Sequence, residues 1–364
     1  MQAIMHLSFA ALFGIVTSVA TPALAQSDAP RDPEKVWTYL NALPASERQA
    51  VLEREAAKEG RAVVYGALGI DRANLFIEPF QKKYPNVRID FVRLSESDLA
   101  DKLLLENRTH RINSDAAIAS IPWLELIKPA LAPYQPTTWG TFDPRLRLGG
   151  SDAGWTAMSY EVLPSAIAWR TDRIPSAEAP KTLDAVADQK WKGRTGTTTQ
   201  LESMLQGLIL AYGEAEANDK VEKLAALSNR TYTSIAALSD ALAQGEIDIA
   251  WNMGAHRPTQ LKAKGAPVDF VLQDPTFGQG ITLSATKGGE HPYAAALFIE
   301  CATRADMLER VDKAEPGRFF GNTQGRYALD LSKYPKLVLF PALDRNRFRE
   351  LKQRTDRLFI RQAR

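Results

Sequence analysis

Short loops rich in hydroxyl, amide and small residues follow several predicted strands, and they are the part of the sequence best suited to binding chemistry. Such loops occur at 66–71, 95–97, 120–123, 196–200 and 251–254. In an open parallel sheet a ligand binds in the crevice beyond the carboxyl ends of the strands. N–H groups at helix starts bind anions there, and Ser or Thr hydroxyls add hydrogen bonds. N-capping alone is an alternative explanation for single Ser and Thr residues, so it is the five loops together, drawn from both halves of the chain, that favour a binding cleft.

Ten residues in and around these loops are the candidate ligand-binding residues. Trp251 and Asn252, at a strand end, could stack on a small organic solute and hydrogen-bond to it. Arg72, close to a predicted helix start, could pair with a carboxylate or a phosphate. Tyr65 either lines the cleft or is simply a strand residue, and the sequence leaves both readings open. The full set is Tyr65, Ala67, Arg72, Ser95, Ser120, Trp123, Thr197, Thr198, Trp251 and Asn252.

Residues suited to catalysis or metal binding are scarce. The sequence contains no phosphate-binding loop, no dinucleotide fingerprint, no H-E-x-x-H zinc motif and no G-x-S-x-G nucleophile motif. The histidines after position 6, His110, His256 and His291, are far apart, and Cys301 is the single cysteine. We therefore predict no enzyme, no metal and no cofactor. A secreted hydrolase or transferase that uses the same cleft stays open as the alternative from another class.

Charge and length indicate a folded chain of about two domains. Of the 364 residues, 45 are Lys or Arg and 43 are Asp or Glu, which gives a formal net charge of +2. Nucleic-acid binding needs a concentrated basic surface, which this balance does not favour. A chain of this length exceeds what one hydrophobic core usually organises.

The order of predicted elements indicates an α/β fold with parallel sheets. Strands at 61–66, 87–92 and 115–119 alternate with helices, which is typical of βαβ units. A helix opened by Asp32 and Pro33 and a second one starting at Ser46 and closed by Gly60 precede them. Asp71 is the predicted cap of the helix after the first strand. Residues 129–156 are expected to be irregular.

A second α/β series follows. It begins with two separate strand segments, 157–162 and 166–170, and continues with helical segments and the strands 247–251, 268–272 and 280–285. No Gly/Ser linker separates the two series, so we expect two α/β lobes joined by strands that cross between them more than once.

The first 25 residues have the pattern of a cleaved secretory signal peptide. An apolar run from Leu7 to Ala20 is followed by Pro22 and by Ala23-Leu24-Ala25, which has the small-x-small form that signal peptidase cleaves. The segment before Leu7 lacks the usual Lys or Arg. No cysteine follows the cleavage site, so we expect no lipid anchor and a free protein outside the cytoplasm.

Six segments resemble extracellular solute-binding proteins of ABC importers, in the branch that includes ferric-iron, thiamine, polyamine and phosphonate receptors. They occur in the family's order over roughly residues 56–300, and together they are fairly specific for the family. The segments are 56–67 (AAKEGRAVVYGA), 80–87 (FQKKYPNV), 93–103 (RLSESDLADKL), 179–182 (APKT), 190–193 (KWKG) and 291–298 (HPYAAALF).

The resemblance implies a two-lobed type II periplasmic-binding fold with a hinge, which traps a ligand when the lobes close and presents it to a membrane permease. The expected division is a signal peptide at 1–25, an N-terminal helical lead-in at 26–58, lobe 1 at 59–163 plus 271–364, and lobe 2 at 164–270. The expected partners are the ABC permease subunits, with a monomeric receptor in the periplasm. A sensor that signals to a membrane kinase stays open.

The chain departs from ferric-iron receptors, which carry adjacent or near-adjacent tyrosines in the second lobe. The corresponding segment, 251–257, reads WNMGAHR, and Tyr212 and Tyr232 lie elsewhere. Where relatives often have Tyr-Asn-Thr-Asp, this chain has Trp-Arg-Thr-Asp at 169–172, which adds Arg170 near the lobe crossing. We therefore expect a small organic anion as ligand and keep ferric iron as the alternative. A cationic amine is disfavoured because the named loops are poor in Asp and Glu.

Overall fold

A computed structural model of the chain describes residues 29–227 and 229–360. The helices of these residues are α1 Pro33–Ala42, α2 Ala45–Glu59, α3 Ile70–Lys83, α4 Glu96–Arg108, α5 Leu124–Ile127, α6 Leu183–Val186, α7 Glu202–Tyr212, α8 Glu214–Ala225, α9 Ile235–Gln244, α10 His256–Ala263, α11 Pro292–Ala302, α12 Ala305–Ala314 and α13 Arg345–Phe359. The strands are β1 Arg61–Gly66, β2 Arg88–Arg93, β3 Ala116–Ser120, β4 Arg147–Gly150, β5 Trp155–Arg170, β6 Thr195–Thr198, β7 Arg230–Tyr232, β8 Ile249–Gly254, β9 Val268–Leu272, β10 Thr276–Ala285, β11 Phe319–Phe320 and β12 Leu337–Leu339. The predicted signal peptide, residues 1–25, lies outside the described residues.

The strands form two sheets that share β5. We name as lobe 1 the sheet ordered β2-β1-β3-β10-β5 with its helices, and as lobe 2 the sheet ordered β5-β8-β6-β7 with β9. In lobe 1, β1 runs parallel to β2 and β3, whereas β10 runs antiparallel to β3 and β5. In lobe 2, β6 runs parallel to β7 and β8, whereas β8 and β9 run antiparallel to β5. The sheets are therefore mixed, with parallel strands away from the crossing.

Strand β5 is one continuous strand of 16 residues that crosses from lobe 1 to lobe 2. The sequence predicted two segments, 157–162 and 166–170; Pro164 lies between them, and proline cannot donate a hydrogen bond to a neighbouring strand. In the structure, Pro164 pairs with Gly278 of β10, and its carbonyl accepts the N–H of Ala255 at 2.9 Å. A strand can hold proline where only the carbonyl is used, so the two predicted segments are joined. The chain crosses again between β9 and β10 and a third time between β12 and α13.

Lobe 1 is built around α11, in which every residue from Pro292 to Ala302 is buried. The hairpin of α1 and α2 covers this helix, and the Trp37 ring of α1 lies 5.5 Å from Tyr134. Glu59, the last residue of α2, accepts the N–H of Ala294 at 2.7 Å. The predicted helical lead-in therefore forms part of lobe 1.

Helix α13 packs against lobe 2. Leu351 and Phe359 belong to the same apolar core as Trp251, Leu205 and Leu224. The sequence-based division placed residues 271–364 in lobe 1, whereas α13 lies on α7 and α8 of lobe 2. The pattern of one helix does not say which of two neighbouring cores it covers.

Helix boundaries confirm some predicted caps and correct others. The Asp32 side chain accepts the Glu34 N–H at the start of α1, and Gly60 ends α2 with φ +73°. Helix α2 begins at Ala45 with no side-chain cap, so Ser46 is not its cap. Helix α3 begins at Ile70 after Gly69, which places Asp71 inside its first turn. The stretch expected to be irregular contains β4 and the start of β5. Within the described residues, none of the helices has the length and apolarity needed to cross a lipid bilayer.

Candidate functional site

A cavity of about 520 Å³ lies between the two lobes. Lobe 1 contributes residues from the segments 95–97 and 120–123, lobe 2 contributes residues from 198–204 and 252–254, and Phe348 and Lys352 of α13 complete the wall. Leu163 and Ser165, on either side of Pro164 in β5, also line it. The cavity therefore lies at the point where the chain crosses between the lobes.

The lobe 1 wall is formed by the start of α4 and the end of β3. The Ser95 hydroxyl caps α4 by accepting the Asp98 N–H at 3.1 Å. The Glu96 carboxylate accepts the Ser120 N–H at 3.1 Å, which ties α4 to the strand end. Burial raises the pKa of Glu96 to about 7, against the lowering effect of the hydrogen bonds from Ser120. Trp123 follows in the same wall.

The lobe 2 wall includes Asn252, whose position depends on a β-bulge. Ala166 of β5 pairs with Met253 and Ala168 pairs with Ala250, so Trp251 and Asn252 together face one residue of β5. Asn252 has φ +56°, a left-handed conformation that asparagine tolerates better than most residues. The Ser165 hydroxyl donates to the Asn252 Oδ1 at 3.2 Å. The bulge therefore directs the amide of Asn252 into the cavity.

The start of α7 forms the rest of the lobe 2 wall. Thr198 at the end of β6, Gln200 in the loop, and Glu202 and Ser203 in the first helical turn all line the cavity. The first N–H groups of a helix have no partner within the helix. Burial raises the pKa of Glu202, although Lys352 lowers it. The sequence-based expectation of a cleft poor in acidic residues is therefore wrong, because Glu96 and Glu202 both line it.

Helix α13 contributes the residues that sequence reasoning missed. The Phe348 ring packs against Trp123 of lobe 1 at 5.7 Å between ring centres. Lys352, one turn further along, lies on the same helix face and also lines the cavity. The sequence does indicate the helix itself, because Asp344 is suited to cap it and Leu351, Thr355 and Phe359 follow helical spacing. Nothing in that signal points to the cleft.

Five of the ten predicted residues line the cavity: Ser95, Ser120, Trp123, Thr198 and Asn252.

Trp251 and Thr197 lie outside the lining. The Trp251 side chain is buried in the lobe 2 core at 1% exposure, where its ring lies 5.7 Å from Phe359. Its Nε1 donates to the Asn229 Oδ1 at 2.8 Å. The Thr197 hydroxyl donates to the Trp251 carbonyl at 3.2 Å. The predicted roles of both residues in ligand binding are therefore not supported by their positions, because each side chain is used within the core.

Both arginines that favoured an anionic ligand are engaged elsewhere. Arg72 is 7% exposed and forms ion pairs with Glu161 and, at 3.0 Å, with Glu315. Arg170 pairs with Asp172 at 2.7 Å and donates to backbone carbonyls at the end of α9. Neither lines the cavity, so neither guanidinium is placed to meet a ligand there.

Tyr65 and Ala67 follow β1 but also lie outside the lining. The buried Tyr65 hydroxyl donates to the Glu106 Oε1 at 3.1 Å, which makes it a strand residue of the lobe 1 core. The Ala67 N–H donates to the Ile118 carbonyl at 3.1 Å, which extends the pairing of β1 with β3. The end of β1 is therefore occupied by contacts within lobe 1.

Two carboxylates, those of Glu96 and Glu202, are the acidic groups of the described lining. No tyrosine or histidine of residues 29–227 and 229–360 is among the residues that line it. Over the same residues, His, Cys, Asp and Glu form no group of three or more that could hold a metal ion.

Comparison with known proteins identifies relatives of the chain in sequence and in structure. Residues 76–321 match the family model described as bacterial extracellular solute-binding protein. No curated protein sequence matches the chain significantly. Iron-bound HitA from Pseudomonas aeruginosa is similar with a TM-score of 0.67 at 17% identity, covering 81% of this chain and 99% of that one.

Two further structures show the same likeness. AfuA from Actinobacillus pleuropneumoniae, with exogenous fructose-6-phosphate bound, has a TM-score of 0.65 at 17% identity, covering 83% of this chain and 99% of that one. The substrate binding protein of an ABC transporter from Agrobacterium tumefaciens has a TM-score of 0.68 at 14% identity, covering 84% of this chain and 94% of that one. At such identities the likenesses establish the fold, and the predicted two-lobed α/β architecture is confirmed.

Proposed function

The chain belongs to the bacterial extracellular solute-binding proteins, which serve ABC transporters, and from that premise we propose that its ligand is a small organic anion rich in hydroxyl groups. The fold is the type II periplasmic-binding fold and the role is that of a solute receptor. The cavity between the lobes is the single observation that carries the choice of ligand, because its lining combines hydroxyl, amide and aromatic groups with the positive charge of Lys352.

The lining favours a hydroxylated organic solute. Hydroxyl and amide groups hydrogen-bond to such solutes, and aromatic rings pack on their apolar faces. The aromatic residues of the lining are Trp123, Phe340 and Phe348. The hydroxyl and amide residues are Ser95, Ser97, Ser120, Ser165, Thr198, Thr199, Ser203, Gln200, Asn252 and Gln279.

Three features support a negative charge on the solute. Helices α4 and α7 begin at the cavity wall, and the positive end of a helix dipole favours anions. Lys352 adds a positive charge. Glu96 opposes an anion less than an ordinary carboxylate does, because burial raises its pKa to about 7. AfuA, which has this fold, binds an organic anion, fructose-6-phosphate.

We further propose that closure of the lobes traps the solute and that ABC permease subunits recognise the closed form. In this proposal the receptor is monomeric and periplasmic, it is exported by a cleaved signal peptide at residues 1–25, and it carries no lipid anchor. Family membership supports a location outside the cytoplasm.

Ferric iron and catalysis are the competing proposals. HitA is an iron-bound protein of the same fold, and Glu96 and Glu202 offer hard oxygen donors to a cation. A hydrolase or transferase needs a base beside a nucleophile and predicts turnover of a bound solute. The family consists of binding proteins, which favours the receptor.

A thermal-shift screen tests the proposal, because a ligand that binds only the folded state raises the melting temperature. The probes are fructose 6-phosphate, glycerol 3-phosphate and citrate, with fructose and glycerol as neutral controls and ferric citrate for the iron alternative. We expect at least one anion to raise the melting temperature while its neutral counterpart does not. Stabilisation by ferric citrate but not by citrate would establish iron instead, and stabilisation by the neutral compounds alone would exclude an anion.

A further inference from the structure

Lys352 is the one positively charged side chain among the described residues that line the cavity. It comes from α13, the last described helix, and not from any of the loops that follow the strands. Its side chain is 45% exposed, so it remains accessible to a solute in the cleft. A single accessible cation in a cavity otherwise lined by neutral groups and two carboxylates has a strong influence on the charge of the solute that binds.

The present partners of Lys352 show where its charge can act. The Nζ atom lies 2.9 and 3.0 Å from the two carboxylate oxygens of Asp356, one turn further along α13. It also lies 3.7 Å from the Oε1 of Glu202, the first residue of α7. The ammonium group therefore lies near the start of α7, and the Glu202 carboxylate marks a place where an anionic oxygen is within its reach.

Helix α13 is held in a fixed position relative to this helix start. The Arg347 Nε donates to Gln206 of α7 at 2.8 Å, and Arg354 pairs with Glu214 of α8 at 2.7 Å. Leu351 is fully buried against the same lobe. These contacts hold Lys352 beside α7, while Phe348 and Arg345 at the start of α13 also contact Trp123 and Asp101 of lobe 1.

We propose that Lys352 provides the counter-charge for the anionic group of the solute and so determines the preference for anionic over neutral solutes. This inference rests on the proposed function. The anionic group lies near the first turn of α7, within reach of Nζ, and competes with Asp356 and Glu202 for the ammonium. The rest of the solute faces the hydroxyl, amide and aromatic groups of both lobes.

The test compares Lys352→Gln with wild type by isothermal titration, with fructose 6-phosphate and fructose as the probes. Loss of a charge-assisted hydrogen bond weakens binding of fructose 6-phosphate by roughly tenfold or more. Lys352→Gln binds fructose no more tightly and no more weakly than wild type does, and Lys352→Arg retains most of the affinity for the phosphate. Wild-type affinity falls as NaCl is raised, and this salt dependence is smaller in Lys352→Gln.

The matched control is Lys223→Gln, which removes a lysine whose Nζ pairs with Asp219 at 2.6 Å on the outer helix α8 of the same lobe. This variant binds fructose 6-phosphate as wild type does. Equal binding of the phosphate by wild type and Lys352→Gln overturns the role of Lys352 and leaves the proposed function intact. Failure of wild type to bind fructose 6-phosphate, glycerol 3-phosphate or citrate overturns both.

Discussion

Trp251 and Asn252 are neighbours in the chain and lie in different environments. The bulge against β5 places both opposite one residue, so the regular alternation of a strand does not apply to them. Trp251 fills the lobe 2 core beneath α13, while Asn252 lines the cavity. At the scale of single residues, burial therefore separates a structural from a ligand-binding position.

Replacing Trp251 with alanine is expected to destabilise the protein by about 3–5 kcal/mol, because it removes a fully buried ring and leaves a cavity. Urea unfolding followed by circular dichroism measures the change. Trp123→Ala is the control, since Trp123 is half-buried at the cleft, and it is expected to lose less stability and more ligand affinity. A Trp251→Ala protein as stable as wild type but impaired in binding would contradict this assignment.

At the scale of helices and strands, individual contacts between elements shape the cleft. Glu96 begins α4 and holds the Ser120 N–H at the end of β3, so one carboxylate connects a helix start with a strand end. Arg72 of α3 is held by Glu161 of β5, so its guanidinium is engaged away from the cavity. Helix α13 reaches the cleft from the far end of the chain and brings Phe348 and Lys352 with it.

Stability is expected to depend on pH through Glu96. Its pKa is about 7 in the folded state against an ordinary value of 4.5. The folded state therefore holds this proton more tightly, and the corresponding stability is fully present below pH 4.5 and is lost as pH rises through about 7. At 1.36 kcal/mol per pKa unit, the loss is at most about 3 kcal/mol.

Urea unfolding at pH 5, 6, 7 and 8 of wild type and Glu96→Gln measures this effect, because the amide keeps an acceptor for the Ser120 N–H but does not titrate. The difference between the two proteins isolates Glu96 from other titrating groups. Wild type is expected to lose stability relative to the variant between pH 5 and pH 8. Parallel pH profiles for the two proteins would rule out a raised pKa at this position.

The three crossings between the lobes set the behaviour of the whole molecule. Residues 163–165 of β5 continue from one sheet into the other, and Leu163 and Ser165 also line the cavity. A solute that contacts both walls makes more contacts when the lobes approach each other, so it shifts the population toward the closed form.

Small-angle X-ray scattering with and without saturating fructose 6-phosphate tests this closure. The radius of gyration is expected to decrease on addition of the phosphate and to stay unchanged with fructose. At one hundred times the dissociation constant, ligand binding adds about 2.7 kcal/mol to stability. A radius of gyration that does not change while the melting temperature rises would indicate binding without closure.

Local sequence patterns predicted most of the architecture and five of the residues that line the cavity. Helix and strand periodicity, the cap at Asp32 and the turn at Gly60 depend on residues close together in the chain, so they can be read directly. Ser95, Ser120 and Thr198 lie at or just after strand ends, a position that the local pattern predicts, and all three line the cleft. The family resemblance likewise rests on short local segments and agrees with the match over residues 76–321.

The tertiary structure alone decided which side chains are free to meet a ligand. The pairing of Arg72 with Glu161, the bulge that separates Trp251 from Asn252 and the approach of Lys352 to Glu202 each join residues from different elements. Such contacts depend on how strands pair and helices pack, and the spacing of residues within one segment carries no information about them. The type of fold is therefore a property of local pattern, whereas the charge inside the cleft is a property of packing.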